Sequence, residues 1–575
     1  MPFRYCRSSR MRVLSITCLA TLLAACSSNV RDTAPNDFNG SDVAAIEVPA
    51  VDHPQGETAA WWYRSGAARA AASGAMHGRA KNVIVFLGDG MSLTTVAAAR
   101  ILDGQRKGQP GEENQLSWET FPATALGKTY NTDSQTPDSA GTMSAITTGV
   151  KTFMGSISVG PASSNDDCIG SLRNHNLTWL ELAQSAGMAT GIVSTARLTH
   201  ATPAATYAHV PSRGWENDGD LPPEAVQAGC HDIARQLIET PFGGPVVALG
   251  GGLAEFAATT IADPENPTRH GKRTDGRNLV AEWLDAHPQG AFVRNTKQLR
   301  AATDAPRLLG LFAGSHMDFD HDRDTSPQGQ PDLAEMTLAA IHTLSRDPNG
   351  YVLMVEGARI DMANHYGNAF RALDETIAMS RAVQAAIDAT SADDTLILVT
   401  ADHSHTLSFV GYPVRGNPIL GKVRGKSSFD GAPGELAKDG TGLPYTTLGY
   451  ANGPGYTGAS NSQPAGSKHF PHPGKGYKPA NGRPDLTKVD TADPDYMQES
   501  TVPLSGESHG GDDVGIWARG PGSAAVRGTV EQNVIYHLIV QATPKLRERL
   551  CAADTCNDDG VPVELPAIDA FVPAQ

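Results

Sequence analysis

The chain has 575 residues, 40% of them apolar and 19% charged, with 46 basic against 62 acidic side chains and a formal charge of −16. That is a globular composition, long enough for one large domain with insertions or for several smaller ones, and it excludes collagen-like and wholly disordered chains. The acidic balance offers no basic stripe for a phosphate backbone, which excludes a general nucleic-acid binder.

The first predicted element is an export segment. Arg4, Arg7, Arg10 and Arg12 precede any acid, and the mostly apolar run 13–25 is too short to span a bilayer but suits a signal core. It ends Leu23-Ala24-Ala25-Cys26, which resembles the acylation motif of bacterial lipoproteins, and Ser27 in place of Asp resembles the outer-membrane pattern. Residues 1–25 are therefore expected to be a lipoprotein signal peptide. Cys26 is then the lipidated first residue of an exported protein, anchored at the outer membrane and facing the periplasm or the cell surface. The rival is ordinary cleavage after Ala25, leaving Cys26 free. Several acyl chains on one residue anchor firmly where a single chain is marginal.

Removing residues 1–25 takes away four arginines and no acid, leaving 42 basic against 62 acidic residues. With Cys26 acylated, Cys168, Cys230, Cys551 and Cys556 form an even set in an oxidising compartment. Cys551 and Cys556 enclose a short loop and read as one disulfide, which leaves Cys168 for Cys230. A cysteine metal cluster is the weaker alternative, because no Cys-x-x-Cys occurs.

Residues 26–57 are rich in Ser, Asn, Asp, Pro and Ala and read as a flexible tether. Trp61, Trp62 and the alanines around them suggest a helix over 58–78. Strand-like runs at 82–87, 190–194, 245–249, 351–355, 395–400 and 514–518 then alternate with helix-like stretches at 177–186, 224–240, 279–286, 333–345, 369–389 and 530–541. Continuous β-rich runs alternating with helices predict an α/β fold: a large, mostly parallel central sheet flanked by helices on both faces. The expected division is a body over 58–556, a loop-rich insertion at about 411–505 marked by Gly, Pro, Ser and Asn, and a C-terminal tail over 557–575.

Residues able to do chemistry gather where these runs end. Val83-Ile84-Val85-Phe86-Leu87 leads into Gly88-Asp89-Gly90, a carboxylate between two glycines at the end of a strand, where ligands sit in such sheets. A plain turn capped by Asp89 would look the same. Asp138-Ser139 opens an Ala/Thr-rich stretch. A serine there has a helix's positive end behind it, which suits attack on phosphorus, although a simple N-cap is the commoner use. Thr202 precedes Pro203 at another helix start and could cap it or bind a metal, while Arg213 alone would read as a surface arginine.

Glu356 closes a further strand-like run. Asp361 and His365 follow it four apart, on one helical face and able to chelate one ion. Residues 396–400 end in Asp402-His403, two ligand types in one turn, with His405 placed to orient them. His509 stands among glycines and acids just before the last strand-like run, a weak signal by itself. Taken together, this oxygen- and nitrogen-rich set suits Zn²⁺ and Mg²⁺, not iron–sulfur or copper(I).

Gly88-Asp89-Gly90-Met91, Asp138-Ser139-Ala140, Val355-Glu356-Gly357, Thr400-Ala401-Asp402-His403 and His509-Gly510-Gly511-Asp512-Asp513-Val514, in this order, resemble the alkaline phosphatase family. The likeness is nearer the animal branch than the short enterobacterial one and runs from about Trp61 to Cys556. It implies hydrolysis of small phosphate monoesters, with broad specificity and an alkaline preference, through a phosphoserine. Two zinc ions and one magnesium ion per subunit and a homodimer are implied with it. Ser139 matches the nucleophile, which also faces a zinc. Asp361, His365 and His509 match the ligands of one zinc, and Asp89, Asp402 and His403 those of the other. Asp89, Thr202 and Glu356 match the magnesium ligands, and Arg213 the phosphate clamp. His200 stands as in the animal enzymes, close outside the ligands, and the same disulfide pairing is implied. Met362 departs from the His or Lys that the family carries at that place, beside the magnesium site. The Leu311-Phe312-Ala313 stretch lacks the carboxylate of the animal calcium site, so no such site is expected. A sulfatase is disfavoured because the Cys/Ser-x-Pro-x-Arg signature is missing around Ser139. A phosphodiesterase is disfavoured by Thr202 and Glu356, and a non-catalytic phosphate-binding lipoprotein by the intact nucleophile and ligand set.

Overall fold

In chain order the strands are β1 (Asn82–Gly88), β2 (Ala123–Lys128), β3 (Ala189–Arg197), β4 (Val247–Gly251), β5 (Ala291–Val293), β6 (Leu308–Leu311), β7 (Tyr351–Gly357) and β8 (Thr395–Thr400). There follow β9 (Ser404–His405), β10 (Leu407–Phe409), β11 (Leu448–Gly453), β12 (Lys468–His469), β13 (Tyr496–Met497), β14 (Ser500–Pro503), β15 (His509–Gly510), β16 (Val514–Arg519) and β17 (Arg527–Glu531). They belong to a computed structural model that describes residues 43–52, 56–263, 266–425 and 434–572. The expected signal peptide and Cys26 lie outside the described residues.

Ten strands build the central sheet in the order β17-β2-β16-β8-β1-β7-β3-β4-β6-β5. β16 is antiparallel to both its neighbours and every other pairing is parallel, so nine strands share one direction. The expected α/β architecture with a large, mostly parallel sheet is thus what the chain adopts. The reason is legible in β1. Its six residues after Asn82 are all buried, and they alternate between two cores: Val83, Val85 and Leu87 enter one, Ile84 and Phe86 the other. A strand buried on both faces needs an unbroken apolar run, which Val-Ile-Val-Phe-Leu supplies.

The strand order puts the carboxyl ends of β8, β1, β7 and β3 side by side on one edge of the sheet. Because β16 runs the other way, the residues that lead into it arrive at the same edge. Asp89, Glu356, Asp402 and His509, far apart in sequence, are therefore neighbours by topology, as expected at the strand-end crevice of such sheets.

Several elements differ from the expectation. The helix read over 224–240 is two helices, Pro223–Gln227 and Ile233–Ile238, because Gly229 between them sits at φ +92°, outside the helical region. The helix read over 530–541 begins only at Val534, and Arg527–Glu531 form the edge strand β17, paired residue for residue with β2. β2 itself, Ala-Thr-Ala-Leu-Gly-Lys, has weak strand propensity and is held by pairing with β16 and β17.

Cys168–Cys230 and Cys551–Cys556 are both disulfide-bonded, as expected. The Trp61 indole donates to the Pro49 carbonyl at 2.8 Å and Arg64 Nε to the Glu47 carbonyl at 2.9 Å, so residues 43–52 lie along the helix Ala59–Ala72. Val561, Val563 and Phe571 are buried, so residues 557–572 pack on the body. Among the described residues of the 411–505 stretch, β11 and β14 form a small sheet with β10, which lies just before it, and β12 pairs with β13.

Candidate metal centre

Ser139 begins the helix Ser139–Thr148, all ten residues of which are buried. Asp138 caps it: one carboxylate oxygen, Oδ1, accepts from the Gly141 N–H at 3.1 Å, the Gly155 N–H at 3.0 Å and Asn131 Nδ2 at 3.1 Å. The helix stops at Gly149, φ +77°, where a Cβ would also lie 2.8 Å from His537 Nε2. Both conformation and space therefore require glycine there. The cap and the stop fix where the Ser139 hydroxyl stands. Its Oγ is 3.1 Å from His403 Nε2, and the residue is only 2% exposed.

Among the described residues, three groups of ligand-type side chains bring their ligating atoms within 4.8 Å of one another: Asp361, His365, His405 and His509; Asp89, Asp402 and His403; and Asp89, His200 and Glu356. Asp89 is common to two of them. In the first group, Asp361 and His365 come from successive turns of the helix Arg359–His365, while His405 and His509 pair across the β9–β15 ladder. His509 Nδ1 donates to the Pro137 carbonyl at 2.7 Å, and His365 Nδ1 donates to the Glu507 carbonyl. A carbonyl can only accept, so in the neutral ring each Nε2 keeps its lone pair. Those two Nε2 atoms face each other at 3.1 Å, and His509 Nε2 lies 3.4 Å from Asp361 Oδ1. Lone pairs so close call for a shared cation.

In the second group, Asp402 Oδ1 accepts from the Gly90 and His403 N–H groups, both at 3.0 Å. Its other oxygen has no hydrogen-bond partner. Both Asp89 oxygens, one Glu356 oxygen, the Thr202 hydroxyl and His200 Nδ1 are likewise buried without a partner. Buried carboxylates are ordinarily hydrogen-bonded or paired, so a set of orphaned oxygens converging on one place fits divalent cations. The donor chemistry agrees: imidazole with carboxylate for zinc, and oxygen from carboxylate and hydroxyl for magnesium.

The electrostatics carry the same signature. Burial, then the charges of Asp402, Asp361 and Glu356, hold Asp89 well above the usual carboxylate range. Burial, with Asp402 nearby, pushes Glu356 up to about 8 despite the Ser194 hydroxyl bonded to it. Asp361 goes the other way. Burial opposes the shift, but the imidazoles of His365, His405 and His509 hold it well below that range. Burial would also lower His405, yet Glu507 and Asp361 outweigh it and push that ring up to about 10.

Arg213 Nη1 is 3.0 Å from Asp138 Oδ2, and Nη2 is 3.2 Å from His200 Nε2. The Asp138 carboxylate thus caps the helix that carries Ser139 and anchors the guanidinium beside it. The catalytic and metal-ligand candidates read from the sequence are brought together at this edge. His405 has both ring nitrogens engaged, by Asp361 at 2.7 Å and by Glu507, which suits orienting more than ligating. Met362 belongs to none of the three groups. It packs against Phe319, and its sulfur meets Arg359 Nη1 at 2.8 Å. Sequence reasoning assigned no role to Glu507 or to Gln532, whose Nε2 donates to the Asp402 carbonyl at 2.7 Å. The position of Glu507 two residues before His509 was the available signal for the first, and nothing pointed to the second.

A serine at a buried helix start, an anchored arginine and three cation-ready groups at the strand ends of a doubly wound sheet have the layout of a metal-assisted hydrolase. The comparisons narrow this. The family model described as Alkaline phosphatase matches residues 80–544. The chain is 42% identical over 471 residues to an alkaline phosphatase of Gadus morhua, covering 81% of this chain and 92% of that one. It is 40% identical over 472 residues to the tissue-nonspecific isozyme of alkaline phosphatase from Homo sapiens, covering 80% and 83%. Among solved structures, the alkaline phosphatase of Thermus thermophilus aligns with a TM-score of 0.54 at 24% identity, over 83% of this chain and 96% of that one. That of the Antarctic bacterium TAB5 aligns at 0.52 and 21%, over 81% and 98%. The chain belongs to the alkaline phosphatase family, and it is a phosphoric monoester hydrolase with the animal-type likeness its motifs suggested.

Proposed function

We propose that the chain hydrolyses small phosphate monoesters through a phosphate ester on Ser139, at a site that takes two zinc ions and one magnesium ion. Asp361, His365 and His509 would hold one zinc, and Asp89, Asp402 and His403 the other. Asp89, Glu356 and Thr202 would hold the magnesium. When bound, the ions supply Lewis acidity that favours ionisation of hydroxyls and neutralises phosphate charge.

The chain's own groups do the rest. Ser139 Oγ forms the bond to phosphorus as the alcohol leaves with its oxygen. Water then breaks that ester, and the serine hydroxyl is restored. The positive end of the helix Ser139–Thr148 favours the dianion at its start. Arg213, steadied by Asp138, has donors left over to hold two phosphate oxygens. The observation that carries this reading is the Ser139 hydroxyl 3.1 Å from His403 Nε2, on the residue next to the Asp138 that anchors Arg213. These groups address phosphate and little of the alcohol, which supports broad specificity. Para-nitrophenyl phosphate should be turned over roughly 10²-fold faster than the bis ester, given how strongly a site rejects a substrate that leaves its buried polar groups unpaired. A preference for the diester would make the chain a phosphodiesterase instead.

We also propose export and anchoring through acylated Cys26 at the outer membrane. The support is the cationic start, the short apolar run and the cysteine that ends it. Among the described residues no helix is long and apolar enough to cross a membrane. Cys26→Ser should move the activity from the membrane fraction to the soluble one, and activity that stays with the membrane would refute the anchor.

A further inference from the structure

We infer that Glu507 is the positioning residue that sets the Asp361, His365 and His509 group for its cation, an inference that rests on the metal-site reading above. Glu507 is 2% exposed and meets this group from three directions. Its carboxylate accepts from the Thr406 N–H at 2.6 Å with one oxygen and from His405 Nδ1 with the other. The far side of the same imidazole meets Asp361 Oδ1 at 2.7 Å. Its backbone N–H donates to the His365 carbonyl at 2.8 Å, and its own carbonyl accepts a hydrogen bond from His365 Nδ1. Two residues later the chain places His509, after Asn452 has pinned Ser508 through both its N–H and its hydroxyl at 2.9 Å.

The His405 ring that relays this has little room to move. A Cβ on Gly90 would lie 2.3 Å from its Cδ2, so the loop after β1 closes directly over it. Glu507, His405 and Asp361 form a carboxylate–imidazole–carboxylate chain. One Asp361 oxygen is fixed by the relay, which orients the carboxylate as a ligand. Partners of this kind set ligand orientation, and losing one typically weakens metal binding 10–100-fold. The main-chain contacts to His365 survive substitution of the side chain, so the loss isolates the His405–Asp361 arm.

The test is a zinc titration of the purified enzyme against a competing chelator, with Co²⁺ absorption as a second readout. Glu507→Ala is expected to weaken one class of zinc site roughly 10–100-fold, to alter the Co²⁺ spectrum of that class, and to leave the other class within about threefold. Glu507→Gln, which can still hold the ring through its amide, is expected to fall between wild type and alanine. Unchanged zinc affinity in Glu507→Ala overturns the inference, as does an equal loss at both classes, which would mark general unfolding. If Glu507→Ala does not fold, Glu507→Gln decides alone. A weakened single class with an unchanged metal-free melting temperature supports the role, and unaltered zinc binding sinks it. Wild-type enzyme that binds no zinc would instead refute the metal reading itself.

Discussion

Ser139→Ala is expected to lower kcat for para-nitrophenyl phosphate by about 10³-fold or more while zinc content stays unchanged. The substitution removes a single oxygen at the first position of a helix whose cap belongs to the preceding residue. Asp138 keeps its bonds to Gly141, Gly155, Asn131 and Arg213, so the helix start and the guanidinium stay in place. Alanine also has the better helix propensity, and the one side-chain partner that loses the hydroxyl, His403 Nε2, is an atom that the metal reading gives to a cation. What disappears is the group that forms the bond to phosphorus. Residual turnover would come from water attacking a phosphate still held by Arg213. Steady-state kinetics on metal-loaded protein, with trapping of labelled phosphate on the chain, read this directly. Undiminished turnover with full metal content would refute the nucleophile assignment.

The site was legible in the sequence to the extent that strand ends announce themselves. Val83–Leu87 and Leu396–Val399 are unbroken apolar runs, and the acids and histidines just after such a run mark the sheet's edge, so Asp89 and Asp402-His403 could be placed from the sequence. The Asp361/His365 pair was legible because helical spacing alone puts the two residues on one face. His509 was not legible in this way. It reaches the edge only because β16 runs antiparallel, and strand direction is set by tertiary pairing with β2 and β8. Glu507 was hidden for a related reason, since its partners Thr406, His405 and His365 come from two other segments, and no local pattern encodes a carboxylate that bridges them. The helix read over 530–541 takes in the last two residues of the edge strand β17, and only the ladder with β2 separates strand from helix there.

Removing the divalent ions should abolish activity and lower the melting temperature, and the stability lost should grow from pH 5 to pH 8. The sign follows from the carboxylates. In the metal-free fold, burial and mutual repulsion hold Asp89 and Asp402 above the usual range, and burial holds Glu356 up to about 8. Unfolded carboxyls release their protons near pH 4. Between those limits these three carboxyls bind more protons in the fold than in the unfolded chain, so their own contribution to metal-free stability falls as pH rises. Asp361 has the opposite shift, but its contribution is already complete above pH 4 and fades only in stronger acid. Bound cations remove the penalty by meeting the ionised carboxylates, and they compete better as protons become scarce. At roughly 1,000-fold above its dissociation constant each ion adds about 4 kcal/mol. Melting curves of metal-free and reconstituted protein at pH 5 and pH 8 test both the size and the direction. A gap that narrows toward pH 8, or full activity in a metal-free preparation, would mean that the buried carboxylates are not there to hold cations.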